Sequence, residues 1–134
     1  VLLTGDLEAE QEARLVREQP AALKSDVLLV PHHGSKTSSS PAFLDAVAPR
    51  VALVQAGYRN RYGHPAPAVA ARYAERGIAF IDTVGCGAWS TTDDSLDICE
   101  RERSRRYWHH GLEVAPNGGD NTLTETASWP STSR

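Results

Sequence analysis

The apolar positions of this chain fall into short continuous runs separated by stretches with helical spacing. Residues 1–5, 27–30, 51–55 and 78–81 are near-unbroken apolar segments bounded by turn residues, and they read as four buried strands. Between the first two, Asp6 can cap a helix running to about Glu18, with Ala9, Ala13 and Val16 on one face and Glu8 and Glu10 near its positive end. Ser40-Pro41 reads as an N-cap and first helical position, followed by inward-facing Phe43, Leu44 and Val47 and a stop at Pro49. A further helix is expected over about residues 65–76, with Val69 and Tyr73 buried and Gly77 ending it. Strand and helix therefore alternate, which predicts an α/β fold. Residues 87–91 and 96–99 then form an expected antiparallel pair, turned at Thr92-Asp93-Asp94-Ser95.

Composition narrows this picture. With 134 residues and 40% hydrophobic content, the chain fits one packed domain or part of a larger one. No apolar run approaches the roughly 18 residues that a membrane-spanning helix requires, and no signal peptide opens the chain. It starts at Val1 inside a predicted strand, so it is expected to be a piece of a longer protein, although a processed or trimmed chain would open the same way. The net charge of −3 argues against bulk polyanion binding, and the cluster Arg101, Arg103, Arg105 and Arg106 reads as a solvated segment. Cys86 and Cys99 make no CxxC pair and are expected to be free thiols, which leaves the compartment open. Residues 109–134 are Gly-, Asn-, Ser-, Thr- and Pro-rich and are expected to be a disordered tail. His109 and His110 stand at the start of that tail and are left out of the site.

The chemistry concentrates at predicted strand ends. One run ends in Thr4-Gly5-Asp6 and the next in Pro31-His32-His33-Gly34-Ser35, and in open α/β sheets ligands collect on that rim. A carboxylate and neutral imidazoles are donors suited to Zn²⁺ or Mn²⁺. A lone Asp between strand and helix is ordinarily an N-cap, but Gly5 allows a close backbone approach to a ligand, and a carboxylate has two oxygens. Adjacent histidines at a strand end should point to opposite sides; His32 is the expected ligand because it comes first, with His33 as the other candidate. Ser35 offers a hydroxyl to a phosphate oxygen and Lys36 offers positive charge. A third strand-end loop, Asn60-Arg61-Tyr62-Gly63-His64-Pro65, is rich in donors for a phosphodiester, although His64 before a helix start is as often a cap or surface residue.

TGD, an apolar strand ending in PHHGS, SSSPAFL, NRYGHP and a final GA-containing strand, taken together, resemble the C-terminal metallo-β-lactamase-like domain of ComEC-type DNA-uptake competence proteins. The closing RRYWH is similar to the end of such proteins in some Gram-negative bacteria, and the resemblance covers residues 1 to about 108. It implies the C-terminal half of a four-layer αββα sandwich with a metal site between two sheets. The family's His-x-Asp-x-Asp-His motif, which its N-terminal half supplies, does not occur in this chain. By resemblance, Asp6 is the carboxylate bridging two Zn or Mn ions, His32 and His33 supply a further ligand, and His64 takes a metal or substrate-phosphate role. Ser35, Lys36, Asn60 and Tyr62 are then substrate-binding. Cys86 stands where the family often has a charged residue, and it receives no role.

The resemblance further implies a metal-dependent nuclease or phosphodiesterase module of an inner-membrane DNA-uptake protein. Its partners would be DNA and the membrane channel portion of the parent, with no small-molecule cofactor. The absent ligand motif means that the fragment alone is expected to be inactive. Two other readings compete with this one. The first is a non-catalytic scaffold or DNA-binding remnant. The second is a hydrolase of the same fold acting on a small phosphoester such as phosphorylcholine, or on a thioester.

Overall fold

The computed structural model describes residues 1–91 and 98–104. Three parallel strands, β1 (Val27–Leu29), β2 (Val51–Val54) and β3 (Ala79–Asp82), form a sheet in the order β1-β2-β3. Val27 pairs with Val51 and Val51 with Ala79, and the register continues from there. Helices α1 (Ala9–Glu18) and α2 (Pro20–Leu23) precede β1, α3 (Pro41–Val47) joins β1 to β2, and α4 (Pro67–Glu75) joins β2 to β3. The chain is thus mixed α/β, as the alternation of runs predicts. No helix among the described residues is long and apolar enough to cross a membrane.

The first predicted strand contracts to a single parallel bridge, Leu2 with Leu28. Leu2 donates to Val27 O at 2.8 Å and accepts from Leu29 at 2.9 Å, while Val1 and Leu3 stay exposed. The sheet therefore runs Leu2, β1, β2, β3, all parallel and each step in the same direction. Right-handed crossovers of that kind place every helix on one face. One apolar cluster agrees with this, uniting Leu28, Ala52 and Val54 of the sheet with Phe43, Val47, Val69 and Tyr73 of the helices. The alternate residues Val27, Leu29, Val51, Leu53, Ala79 and Ile81 point to the opposite face by strand periodicity. They are buried to exposed in varying degree, and none of them joins that cluster.

The helices depart from expectation in informative ways. Helix α1 starts at Ala9 with Glu8 as N-cap, not Asp6, and the Glu8 amide bonds the Gln11 side chain at 3.2 Å. Its inward residues are Glu12, Leu15 and Val16, whereas Ala9 and Ala13 are exposed. The Glu12 carboxylate decides that rotation, because it is fully buried and accepts the backbone N–H of Ser39 at 2.6 Å and of Ser40 at 2.8 Å. Helix α3 follows the predicted pattern, with Phe43, Leu44 and Val47 buried behind Ser40-Pro41. Helix α4 opens at Pro67, after a cis peptide between His64 and Pro65, with Val69 and Tyr73 buried.

After β3 come α5 (Thr83–Cys86), the antiparallel pair β4 (Trp89–Ser90) and β5 (Ile98–Cys99), and α6 (Glu100–Arg103). Asp82 caps α5 by accepting from the Val84 amide at 2.7 Å. Cys86 and Cys99 form a disulfide, so the expectation of free thiols is corrected. Their separation of 13 residues matches no metal motif, but pairing Trp89 with Cys99 brings the two Cα atoms to 4.6 Å, within disulfide reach. The turn expected at residues 92–95, Arg105, Arg106 and the tail expected over 109–134 lie outside the described residues.

Candidate functional site

Three loops leave the C-terminal ends of Leu2, β1 and β2 and are tied to one another at the rim of the sheet. The Thr4 hydroxyl donates to Leu29 O at 2.7 Å, and the His32 amide donates to Gly5 O at 2.9 Å. The Ala66 amide donates to Gly34 O at 2.9 Å. Gly34 is required there: its φ is +79°, and a Cβ would lie 2.7 Å from Pro65 Cβ. Beneath the rim, the buried Ser38 hydroxyl bonds the carbonyls of Pro31 and Ser35 at 2.8 and 2.9 Å. Arg72 of α4 donates to the carbonyls of Ser38 and Ser39, both at 3.0 Å.

Residues 31–34 form a 3-10 turn in which His32 and His33 both take left-handed backbone angles, with φ of 48° and 54°. Two consecutive non-glycine residues in that region are uncommon and carry strain of order 1 kcal/mol each. The two histidines thus leave a left-handed turn and not the strand end expected from the sequence. His33 Nδ1 lies 2.7 Å from Gln55 O, and because a carbonyl only accepts, Nδ1 carries the proton. In the neutral ring Nε2 is then free to act as a donor to a metal, and it lies 3.6 Å from Asp6 Oδ1. His32 faces the other way. Its Nδ1 is 3.3 Å from Glu8 Oε1 without hydrogen-bond geometry, and it is buried with no bonding partner.

His64 closes the third side, its ring centroid 6.3 Å from that of His32 in an edge-on arrangement. Its Nδ1 is also buried and unpartnered. Tyr62 stacks on His64 at 5.9 Å between centroids and is itself exposed. The Asn60 amide is spent within the loop, accepting from the His64 amide at 2.9 Å and donating to His64 O at 2.7 Å and Gly57 O at 3.1 Å. The Ser35 hydroxyl lies 3.1 Å from that of Thr37, which donates to Glu8 at 3.2 Å. Lys36 is exposed. Glu8 is the rim residue that sequence reading passed over: as a helix N-cap it carried no signal of meeting His32.

The donors at this rim bear directly on whether it could take a divalent metal. Bonds of about 2.0–2.2 Å set neighbouring donors about 3–3.5 Å apart around an ion, close to the separation of His33 Nε2 and Asp6 Oδ1. A ligating histidine normally donates its other N–H to a carbonyl or carboxylate, as His33 does to Gln55. The orphaned nitrogens of His32 and His64 are what a buried polar site lacking its ligand leaves behind. His33 and Asp6 thus fit as a donor pair. Among the described residues, however, no group of three or more His, Cys, Asp or Glu side chains is arranged to hold a metal ion.

Comparison with known proteins finds competence proteins among those the chain is similar to. It is 46% identical over 88 residues to Competence protein ComA of Neisseria gonorrhoeae, covering 66% of this chain and 13% of the relative. It is 47% identical over 64 residues to ComE operon protein 3 of Bacillus subtilis, covering 48% of this chain and 8% of the relative. It is 40% identical over 123 residues to the uncharacterized protein YcaI of Escherichia coli, covering 89% of this chain and 16% of the relative. The chain therefore spans less than a fifth of the length of these relatives. No family model matches it, and no solved structure does.

Proposed function

Given that the chain is related in sequence to ComEC-type competence proteins, we propose that it is part of a metal-dependent phosphodiesterase or nuclease module of a membrane DNA-uptake protein. The observation that carries this reading is the pairing of His33 Nε2 with Asp6 at 3.6 Å, with His33 Nδ1–H fixed on Gln55 O. In the complete domain Asp6 and His33 would hold part of a Zn or Mn site, with the remaining ligands coming from elsewhere in the parent protein. Divalent metal bound there supplies charge stabilisation for a phosphodiester and a nucleophile at neutral pH. The residues of this chain do the rest. His32 and His64 line the place of the phosphate, Ser35 and Lys36 flank it, Tyr62 borders it, and Asn60 holds the His64 loop in place.

The second sheet face supports an αββα sandwich. Its apolar residues Val27, Leu29, Leu53 and Ile81 are only partly covered, a surface that soluble monomers rarely leave open. In the parent protein, the other sheet packs there. The Cys86–Cys99 disulfide favours an oxidising compartment for this segment, while the channel portion of the parent anchors it in the inner membrane. A second reading, a DNA-binding or scaffolding remnant, is favoured by one observation: the described residues hold no three-donor metal group.

The test is DNA cleavage by the complete domain with the upstream ligands present. Cleavage should require divalent metal, vanish in Asp6→Ala, and fall on the order of 10²-fold in His64→Ala, for one lost transition-state donor. The 134-residue chain alone should show no turnover. Metal-independent cleavage, or full activity in Asp6→Ala, would refute the nuclease reading.

A further inference from the structure

We propose that Tyr58 and Tyr62 form a base-stacking platform that receives unpaired nucleotides beside the His32–His64 rim, a proposal that rests on the phosphodiester reading of that rim. The loop reads Tyr58-Arg59-Asn60-Arg61-Tyr62, symmetric about Asn60. Asn60 is its internal brace: its amide N–H bonds Gly57 O at 3.1 Å, its carbonyl accepts from Gly63 at 3.2 Å, and its side chain bonds Gly57 and His64. With the amide turned inward, the two aromatic residues face outward, 62% and 66% exposed. Two large exposed rings on one braced loop are not accounted for by the core, which takes neither.

Each tyrosine carries an arginine against its ring, Arg59 at 5.2 Å from the centroid of Tyr58 and Arg61 at 4.9 Å from that of Tyr62. Arg61 also donates to the Tyr62 hydroxyl at 2.6 Å. Aromatic faces accept bases of any sequence, and neighbouring guanidinium groups track the phosphates that join them. Position supplies the link to chemistry. The rings of His32, His64 and Tyr62 follow one another at 6.3 and 5.9 Å, so a phosphate at the histidines brings an attached base to Tyr62. Bases in a duplex are already stacked and paired, and present no free face to such a platform. The platform therefore selects single strands over duplex.

The test uses the intact 134-residue chain in metal-free buffer with chelator. Binding of a fluorescent oligothymidylate and of a blunt duplex of equal length is followed by anisotropy. Tyr58→Ala and Tyr62→Ala should each weaken single-strand binding roughly tenfold, while Tyr62→Phe retains it, since stacking needs the ring and not the hydroxyl. Duplex binding should change by less than about twofold in all three, and circular dichroism confirms that each variant is folded. Unchanged single-strand affinity in both alanine variants, equal losses on duplex, or no oligothymidylate binding by the parent chain would overturn the proposal. Because no metal is present, these outcomes are independent of whether the metal reading stands.

Discussion

Two polar regions of this molecule contrast sharply. Under helices α1 and α4, Glu12, Ser39 and Tyr73 are fully buried, and every group finds a partner: Glu12 takes two backbone amides, and the Tyr73 hydroxyl meets Ser39 Oγ at 2.9 Å. At the rim, His32, a few residues away along the same loop, and His64, on the loop after β2, keep buried Nδ1 atoms without a hydrogen bond, and both His32 and His33 are held at positive φ. A satisfied polar network fixes structure, whereas polar groups left open and strained are where a ligand is accommodated. The rim is built on the network, because the 38–40 segment that Glu12 and Arg72 secure also holds the carbonyls of Pro31 and Ser35.

The strongest way to break the contrast is Glu12→Ala. Removing a buried carboxylate strands two amides, so thermal unfolding should report a loss of about 3 kcal/mol. A loss under about 0.5 kcal/mol would mean that the network is not what holds the 38–40 segment. Tyr73 sharpens the same point through pH. Burial pushes its phenol up to about 12 from an ordinary value near 10. Between those values the unfolded chain releases a proton that the folded chain keeps, so stability should fall as pH rises from about 10 to about 12, by roughly 2 kcal/mol. Tyr73→Phe should remove that slope, as read from urea unfolding at pH 9 and pH 12. At the rim the sign reverses. His32→Gly discards a strained backbone and an orphaned nitrogen, so denaturant unfolding should show a gain of about 0.5–1 kcal/mol. A clear loss there would show that His32 serves the fold.

How legible each region was from sequence follows the same division. The strands at 27, 51 and 79 and helix α3 were readable because apolar runs and a Ser-Pro cap leave no rival pattern. Glu12 was not, because an acidic residue in a charged helix reads as solvent-facing until its partners, 27 and 28 residues away, are known. The rim was legible as chemistry through TGD, PHHG and YGHP, but not as geometry. Strand alternation predicts opposed histidines, and the two do meet different partners, but through a left-handed turn at His32 and His33 rather than a strand end. That turn brings His33, not His32, to Asp6. The antiparallel pairing of residues 89 and 99 was legible, but the disulfide beside it was not, because Cys86 lies before the strand, in α5, and no cysteine spacing motif links it to Cys99.

The central claim is that His33 and Asp6 are a metal donor pair while the network beneath them is structural. Calorimetric titration of Zn²⁺ into the intact chain tests this most directly, with Asp6→Ala, His33→Ala and Tyr73→Phe run alongside. The parent chain and Tyr73→Phe should bind weakly, and both rim variants should lose that binding, with thermal midpoints changed little by substitutions this exposed. Zn²⁺ binding that survives intact in Asp6→Ala and His33→Ala would contradict that claim.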